Sequence, residues 1–552
     1  MKLFAPSWSS YSAAAVALFV LPLAAVSAQE VKPVAVVSVA TIEENLADII
    51  YLTRIAGQAD VGKTAALVGN AFTNGFDKKR PSGAYVISQG SDFPVVMFVP
   101  VKNLETILET FKEQLGEPKD AGDGVLEVGT DQTAFIKEQN GWAFIAQQRE
   151  HLTGLPADPA ALLGNLPKDY NIAGRLLANN IPDELKKWAV DEMKVTFERM
   201  FERGAGDATP EQRAAMERAG RNGVTQIARY IEEVEEITIG LTVDAVTKKS
   251  HFDFSLVAKE GTPLARQFAM NAGLKSKFTG FLIPNAAVTA NFGGKLGPEE
   301  IEQNVTMINT AKEQLMKQVD NDPQVEADKR DPLKQAYSDL IDVAVKTVQS
   351  GTLDGGAALV LEPANISFVA GGKVADGLAL EAAFKKLVEV KKSDPEFPKA
   401  TLDVATHAGV KFHTLSVPIP EGEAEMRDFF GPSADVVLGT SGESAYVAFG
   451  KNSQALIKKV MDQSASAGEK EALPLQLNIA LLPILKFAQS VDDNPMLPAA
   501  ISTLEKSGND KISLTSTATP RSSQVRFELG EGVVQTIGAL VKSLADNFAG
   551  AL

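Results

Sequence analysis

The feature that most constrains this chain is that one pattern is written in it twice. At a single constant offset, Ser82-Gly83-Ala84-Tyr85-Val86 falls beside Gly355-Gly356-Ala357-Ala358-Leu359. Without a gap the match continues through Val95/Phe368 and Val101/Val374 to Phe111/Phe384. The same offset returns near the end of each copy, setting Phe252, Phe254 and Leu256 against Val525, Phe527 and Leu529. A repeat of this length predicts two tandem homologous lobes. The expected division is a leader over 1–28, a first lobe over 29–275 and a second over 276–552.

The pattern within each copy predicts an α+β fold. Each opens on a short apolar strand, Pro33–Ala40 and Asn285–Phe292, followed by helical spacing such as Leu46, Ile49, Ile50 and Leu52. Two β runs follow in the first copy, Gly83–Ser88 and Pro94–Pro100. After them Leu104, Ile107, Leu108, Phe111 and Leu115 form one helical stripe. A second β pair follows, Gly124–Gly129 with Trp142–Ala146, matched by Lys411–Val417 with Ala445–Phe449. Each copy then closes on a hairpin of alternating residues, Ile237–Asp244 with Ser250–Ala258 and Ile512–Ala518 with Gln524–Leu529. Strands in hairpin-like pairs with helices between them predict antiparallel or mixed sheets covered by amphipathic helices. The first lobe also carries a helical excursion over about 182–235.

The beginning of the chain reads as a secretory signal. Lys2 supplies a positive start, Ala13–Ala25 an apolar run and Val26-Ser27-Ala28 a small-residue site, so cleavage is expected after Ala28. A periplasmic or secreted protein follows from that reading. No later stretch is long and apolar enough for a membrane span. The chain has no cysteine, so stability in an oxidising compartment must come from its cores. A formal net charge of −16 argues against nucleic acid, whose phosphates call for concentrated Lys and Arg.

Candidate chemistry is thin. Gly57-Gln58-Ala59-Asp60-Val61-Gly62-Lys63-Thr64 matches the phosphate-binding loop literally. That loop needs an apolar strand feeding it, and here Gly57, Gly62, Lys63 and Thr64 follow a stretch of helical spacing. We therefore read the match as a chance helix–turn–helix junction, with no nucleotide or other cofactor. His407 and His413 flank Ala408-Gly409, so a turn would bring them together as half a metal site, with Asp403 as a third ligand. No further ligand set accompanies them, which leaves them weak candidates. His251 and Asp253 sit two apart on a strand and read as a surface pair. Gly439-Thr440-Ser441-Gly442-Glu443 resembles a nucleophile elbow, except that Glu443 replaces its closing glycine. The positions shared by both copies are apolar, Gly or Pro rather than reactive, which favours a non-enzymatic chain.

Phe98-Val99-Pro100-Val101-Lys102-Asn103-Leu104, then Asn140-Gly141-Trp142-Ala143-Phe144 and Leu166-Pro167-Lys168-Asp169-Tyr170, give the first copy a particular order of short motifs. In that order the chain resembles a class of exported proteins abundant in planctomycete-type bacteria. The resemblance implies export and a shared fold, and it brings no catalytic residue with it. Three functions follow as expectations. The first is a binding or structural role at the cell envelope with an unidentified partner. The second is a carrier of an apolar small molecule, and the third an exported hydrolase built from dispersed carboxylates or the His407/His413 region.

Overall fold

The structure is a computed structural model that describes residues 32–90, 92–130, 132–204, 210–363 and 365–550. The expected leader, 1–28, lies outside the described residues. The chain is mixed α+β with a large antiparallel sheet, and every strand pairing given below is antiparallel. It divides into two compact units. Among the described residues, the first comprises 32–51, 60–243 and Leu256–Ala258; the second comprises Leu52–Ala59, Asp244–Ser255 and 259–550. The longest segment of the second unit begins at Lys259.

In the first unit the strands lie side by side in the order Lys119–Asp120, Val125–Val128, Ala134–Gln139, Trp142–Ala146, Val95–Pro100, Ser82–Ile87, Pro33–Val39, Ile172–Leu177, Val234–Asp244. Pro33–Val39 alternates between buried and half-buried residues, as a strand with two different faces must. One face buries Val36, Tyr85, Val96, Phe98, Trp142 and Phe144 under Leu163 and Leu166. Phe98 meets Trp142 edge-on at 5.5 Å, and the Arg80 guanidinium lies 3.8 Å from the Trp142 ring centre. On the opposite face Leu104, Ile107 and Leu108 cover Ile136 and Ala143. Their helix, Leu104–Thr110, starts where the Asn103 side chain accepts the Thr106 N–H, and it breaks at Phe111 before Lys112–Leu115. The helical excursion is present as Asp183–Gly204 and Pro210–Glu233.

In the second unit the order is Lys399–His407, Val410–Pro418, Ser433–Thr440, Ser444–Phe449, Asn365–Lys373, Thr352–Glu362, Val288–Lys295, Leu475–Ala480, Lys511–Ala518, Ser522–Gly530. Strand Lys249–Ala258, whose residues up to Ser255 belong to this unit, pairs next to Ser522–Gly530. One face buries Phe281, Ala358, Val369, Phe412, Val437 and Ala448 under Leu456, Ile457, Val460 and Met461. These four come from the helix Ser453–Ala467. Sequence spacing missed the strands Lys399–His407 and Ser433–Thr440, whose apolar residues do not alternate cleanly. Two long helices, Pro298–Asn321 and Ala327–Gln349, follow the strand Val288–Lys295 with only a short connection between them.

Candidate functional site

Strand register reveals what lies on the sheet face away from the main core of each unit. In the second unit one unbroken row crosses ten strands: Ala400, Leu415, Val436, Phe449, Phe368, Leu359, Val288, Ile479, Ile512, Leu529. Two residues along each strand, a parallel row runs from His413 through Leu438, Val447, Ala370, Ala357, Ala290, Leu477 and Leu514 to Phe527. Only His413 in the two rows is polar. At the strand spacing of roughly 4.8 Å, the first row is roughly 43 Å long.

Between these rows, residues on the other face turn polar toward one end. Thr289, Asn478, Ser513 and Glu528 are mutual neighbours there. Leu475–Gly530 thus sends its polar residues one way and Leu477, Ile479, Ile512, Leu514 and Phe527 the other, which demands an apolar cover on that side. The cover is incomplete. Val447, Val525, Phe527 and Phe292 stay exposed, as do Phe252 and Phe254 on the adjoining strand. The helix Leu481–Val491, LLPILKFAQSV, packs against Thr352–Glu362, yet none of its residues is buried. Its Phe487 ring lies 5.5 Å from Phe429.

The first unit carries the equivalent row: Leu126, Ile136, Ile145, Met97, Ala84, Val37, Gly174, Ile239. Met97, Val95, Ile172, Ile239 and Leu241 are exposed on the same face. Globular chains rarely leave contiguous apolar surface beyond a few hundred Å² without a use for it. Alternation along a strand shows that one side is apolar and does not say whether that side is covered.

The histidines fall in separate places. The turn Ala408-Gly409, with φ of 48° and 80°, closes a tight hairpin that pairs His407 with Val410. Val410 points into the core and His413, an odd number of residues on, points to the other face. His407 and His413 therefore cannot share an ion. His407 Nε2 instead lies 2.7 Å from Asp462 Oδ1. His413 is fully buried beside Phe384 and lies with Asp403 and with Glu381, which the sequence did not single out. Ligand atoms of Glu381, Asp403 and His413 lie within 4.8 Å of one another.

The donors around this cluster do not suit a resident cation. Lys385 Nζ sits 2.7 Å from Glu381 and 2.8 Å from Asp403, and Lys411 Nζ is 3.3 Å from Glu381. Two ammonium groups thus already balance two carboxylates. The Asp403 N–H donates to His413 Nδ1 at 3.1 Å, so the neutral ring keeps its proton on Nε2, where a metal would need a lone pair. That Nε2 has no hydrogen-bond partner and lies 3.9 Å from Glu381 Oε1. Burial opposes ionisation of Glu381, but hydrogen bonds from Lys385 and Lys411 outweigh it and hold the carboxyl below its ordinary value. The Lys385 hydrogen bond likewise lowers Asp403.

Burial lowers the pKa of His413, and it also lowers that of His251, assisted by the Arg526 charge. Both rings therefore take up a proton more readily in the unfolded chain. The stability they contribute is present above their ordinary value of about 6.5 and is lost as pH falls through it toward the depressed folded values. Each ring is expected to steepen acid destabilisation by up to about 1.4 kcal/mol per pH unit. Urea midpoints between about pH 7 and pH 5 measure this. His251→Gln should flatten the slope, and a wild-type profile already flat there would refute it.

The remaining sequence candidates are structural. Gly57, with φ of 73°, turns the chain between the helix Ile42–Ile55 and the helix Ala59–Phe72. Gly62, Lys63 and Thr64 lie inside the latter helix. Lys63 pairs with Asp60 at 3.0 Å and the Thr64 hydroxyl donates to the Asp60 carbonyl, so no strand-fed phosphate loop exists there. Ser441 shares a hydrogen bond with Ser444 in a turn leading to another strand, whereas a nucleophile elbow leads to a helix. Asp253 is not the surface residue its strand position suggested. It is 1% exposed and accepts from Arg526 Nε at 2.8 Å, Arg526 Nη2 at 2.7 Å and Gln524 Nε2 at 2.7 Å. Its partners lie too far along the sequence for local reading to find them.

No helix among the described residues is long and apolar enough to cross a membrane. No protein-family model matches the chain, and no curated protein or solved structure is significantly similar to it.

Proposed function

We propose that this is an exported, non-enzymatic binding protein of two homologous lobes, whose open sheet faces hold the hydrocarbon chain of an amphiphile. One observation carries the reading: an apolar row ten strands long, with large side chains left partly exposed on its face. An acyl chain is long, narrow and free of hydrogen-bonding groups, and so is this row. A compact metabolite would need convergent polar groups that the two rows lack. The homology of the lobes is supported by their strand orders. Following each strand by its place in the chain, both units lay their sheets out in the same succession, and both keep the apolar face. Export rests on the leader pattern, and kinship with the exported planctomycete-type proteins rests on the motif order.

The test is native mass spectrometry on the chain purified gently from its own envelope fraction. The expected result is extra mass that leaves under mild activation and is identified as a lipid. Phe527→Lys and Phe252→Lys place charges on the face at positions already more than a third exposed. They should lower the lipid-bound fraction without moving the thermal midpoint. A bare mass, together with no uptake of added dodecyl amphiphiles, would overturn the reading.

A further inference from the structure

The end of the apolar row nearest the edge strand opens into a recess of about 670 Å³, within the range of small-ligand sites. Ala400, the last residue of the row, lines it, as does Val417, two residues beyond Leu415 on the same face. The other walls come from the end of the helix Gly377–Lys391 and the loop that follows. Val388, Phe397 and Pro398 continue the apolar lining, while Lys392, Asp394, Glu396 and Lys399 bring charge to it.

The loop is held in advance of any ligand. Asp394 Oδ2 accepts from Lys391 Nζ at 2.9 Å, its Oδ1 accepts the Glu396 N–H at 3.0 Å, and its carbonyl accepts the Phe397 N–H at 3.1 Å. Pro395 and Pro398 restrict the backbone on either side. The charges divide by what they already touch. Asp394 is committed to Lys391, and Lys392 to Glu389. Glu396 and Lys399 are both exposed, and neither side chain has an ion-pair or hydrogen-bond partner among the described residues. One carboxylate and one ammonium therefore remain unclaimed at the mouth of a recess that is otherwise apolar and charge-balanced.

We propose that this recess seats the head of the amphiphile, and that the head is zwitterionic. Its cationic group faces Glu396 and its anionic group faces Lys399, while its chain leaves along the Ala400–Leu529 row. This inference rests on the binding function proposed above. A head of either single sign would satisfy one of these residues and leave the other facing water or a like charge. An uncharged head would satisfy neither. Exposed ion pairs contribute modestly, so each matched charge is expected to strengthen binding about threefold.

The experiment is calorimetric titration of the full chain with four probes that share a dodecyl tail, each below its micellar concentration. The probes are dodecylphosphocholine, dodecyl maltoside, dodecanoate and dodecyltrimethylammonium. Dodecylphosphocholine is expected to bind most tightly. Lys399→Gln should transfer the preference to dodecyltrimethylammonium, and Glu396→Gln should transfer it to dodecanoate. Both substitutions are at exposed positions, so unchanged thermal midpoints will confirm that folding is intact. Equal binding of all four probes, indifferent to both substitutions, would overturn the head-group assignment and leave the sheet-face reading standing. Binding of none would overturn both.

Discussion

Replacing Arg526 by alanine is expected to destabilise the second unit by about 3–5 kcal/mol. Arg526 meets Asp253 through two parallel hydrogen bonds, and Asp253 is almost wholly removed from solvent. Deleting the guanidinium leaves a buried carboxylate to face Gln524 and, at 3.9 Å, His251. Urea denaturation measures the loss. Arg526→Met combined with Asp253→Leu should restore most of the stability, because two apolar groups need neither water nor each other's charge. A cost below about 1 kcal/mol for Arg526→Ala would show that the pair is not what holds this strand.

The second large effect is expected from Gly377→Ala. Gly377 begins the helix that carries Glu381 and Lys385, and its N–H donates to the Gly442 carbonyl at 2.9 Å. A β-carbon built there would stand 1.8 Å from the Ser441 carbonyl oxygen and 3.2 Å from that of Ser444. Those atoms belong to backbone, not to a flexible side-chain end, so the helix itself must move. The expected cost is about 2–4 kcal/mol. It should be accompanied by greater solvent access at His413, read by hydrogen exchange or by the pH slope of stability. If Gly377→Ala melts within a degree or two of wild type, the contact is looser than described. Because Asp376 already caps the helix through the Ala379 N–H, the glycine is required here for space and not for initiation.

These two sites show where sequence reading stops. The helix Ile42–Ile55, the strands Trp142–Ala146 and Ser444–Phe449 and the closing hairpins were all legible, because their periodicity is local. The strand Lys399–His407 was not, since a register shift between Thr401 and Ala405 breaks its alternation. Asp403 was named as a third ligand for His407 and His413 together, whereas the fold sets it beside His413 and Glu381, without His407. Glu381 was not legible, because it reaches the cluster from a helix, where Lys385 and Lys411 lie against it. The phosphate-loop match reads as a helix–turn–helix junction because the preceding residues have helical spacing, and the helices Ile42–Ile55 and Ala59–Phe72 meet there.

The apolar face marks the same limit most clearly. Alternation along Leu475–Ala480, Lys511–Ala518 and Ser522–Gly530 establishes that one side of each strand is apolar. It cannot say whether that side meets a helix, another sheet or nothing, since a strand's period is the same in all three settings. By itself the sequence determined the α+β class, the absence of disulfides and the placing of apolar and polar residues along each element. These follow from composition and from interactions spanning a few residues. The tertiary structure alone decided which apolar face remains open, which charges are already committed and which histidine lies on which side. Those outcomes depend on pairing between residues far apart in the chain, where no local period carries the information.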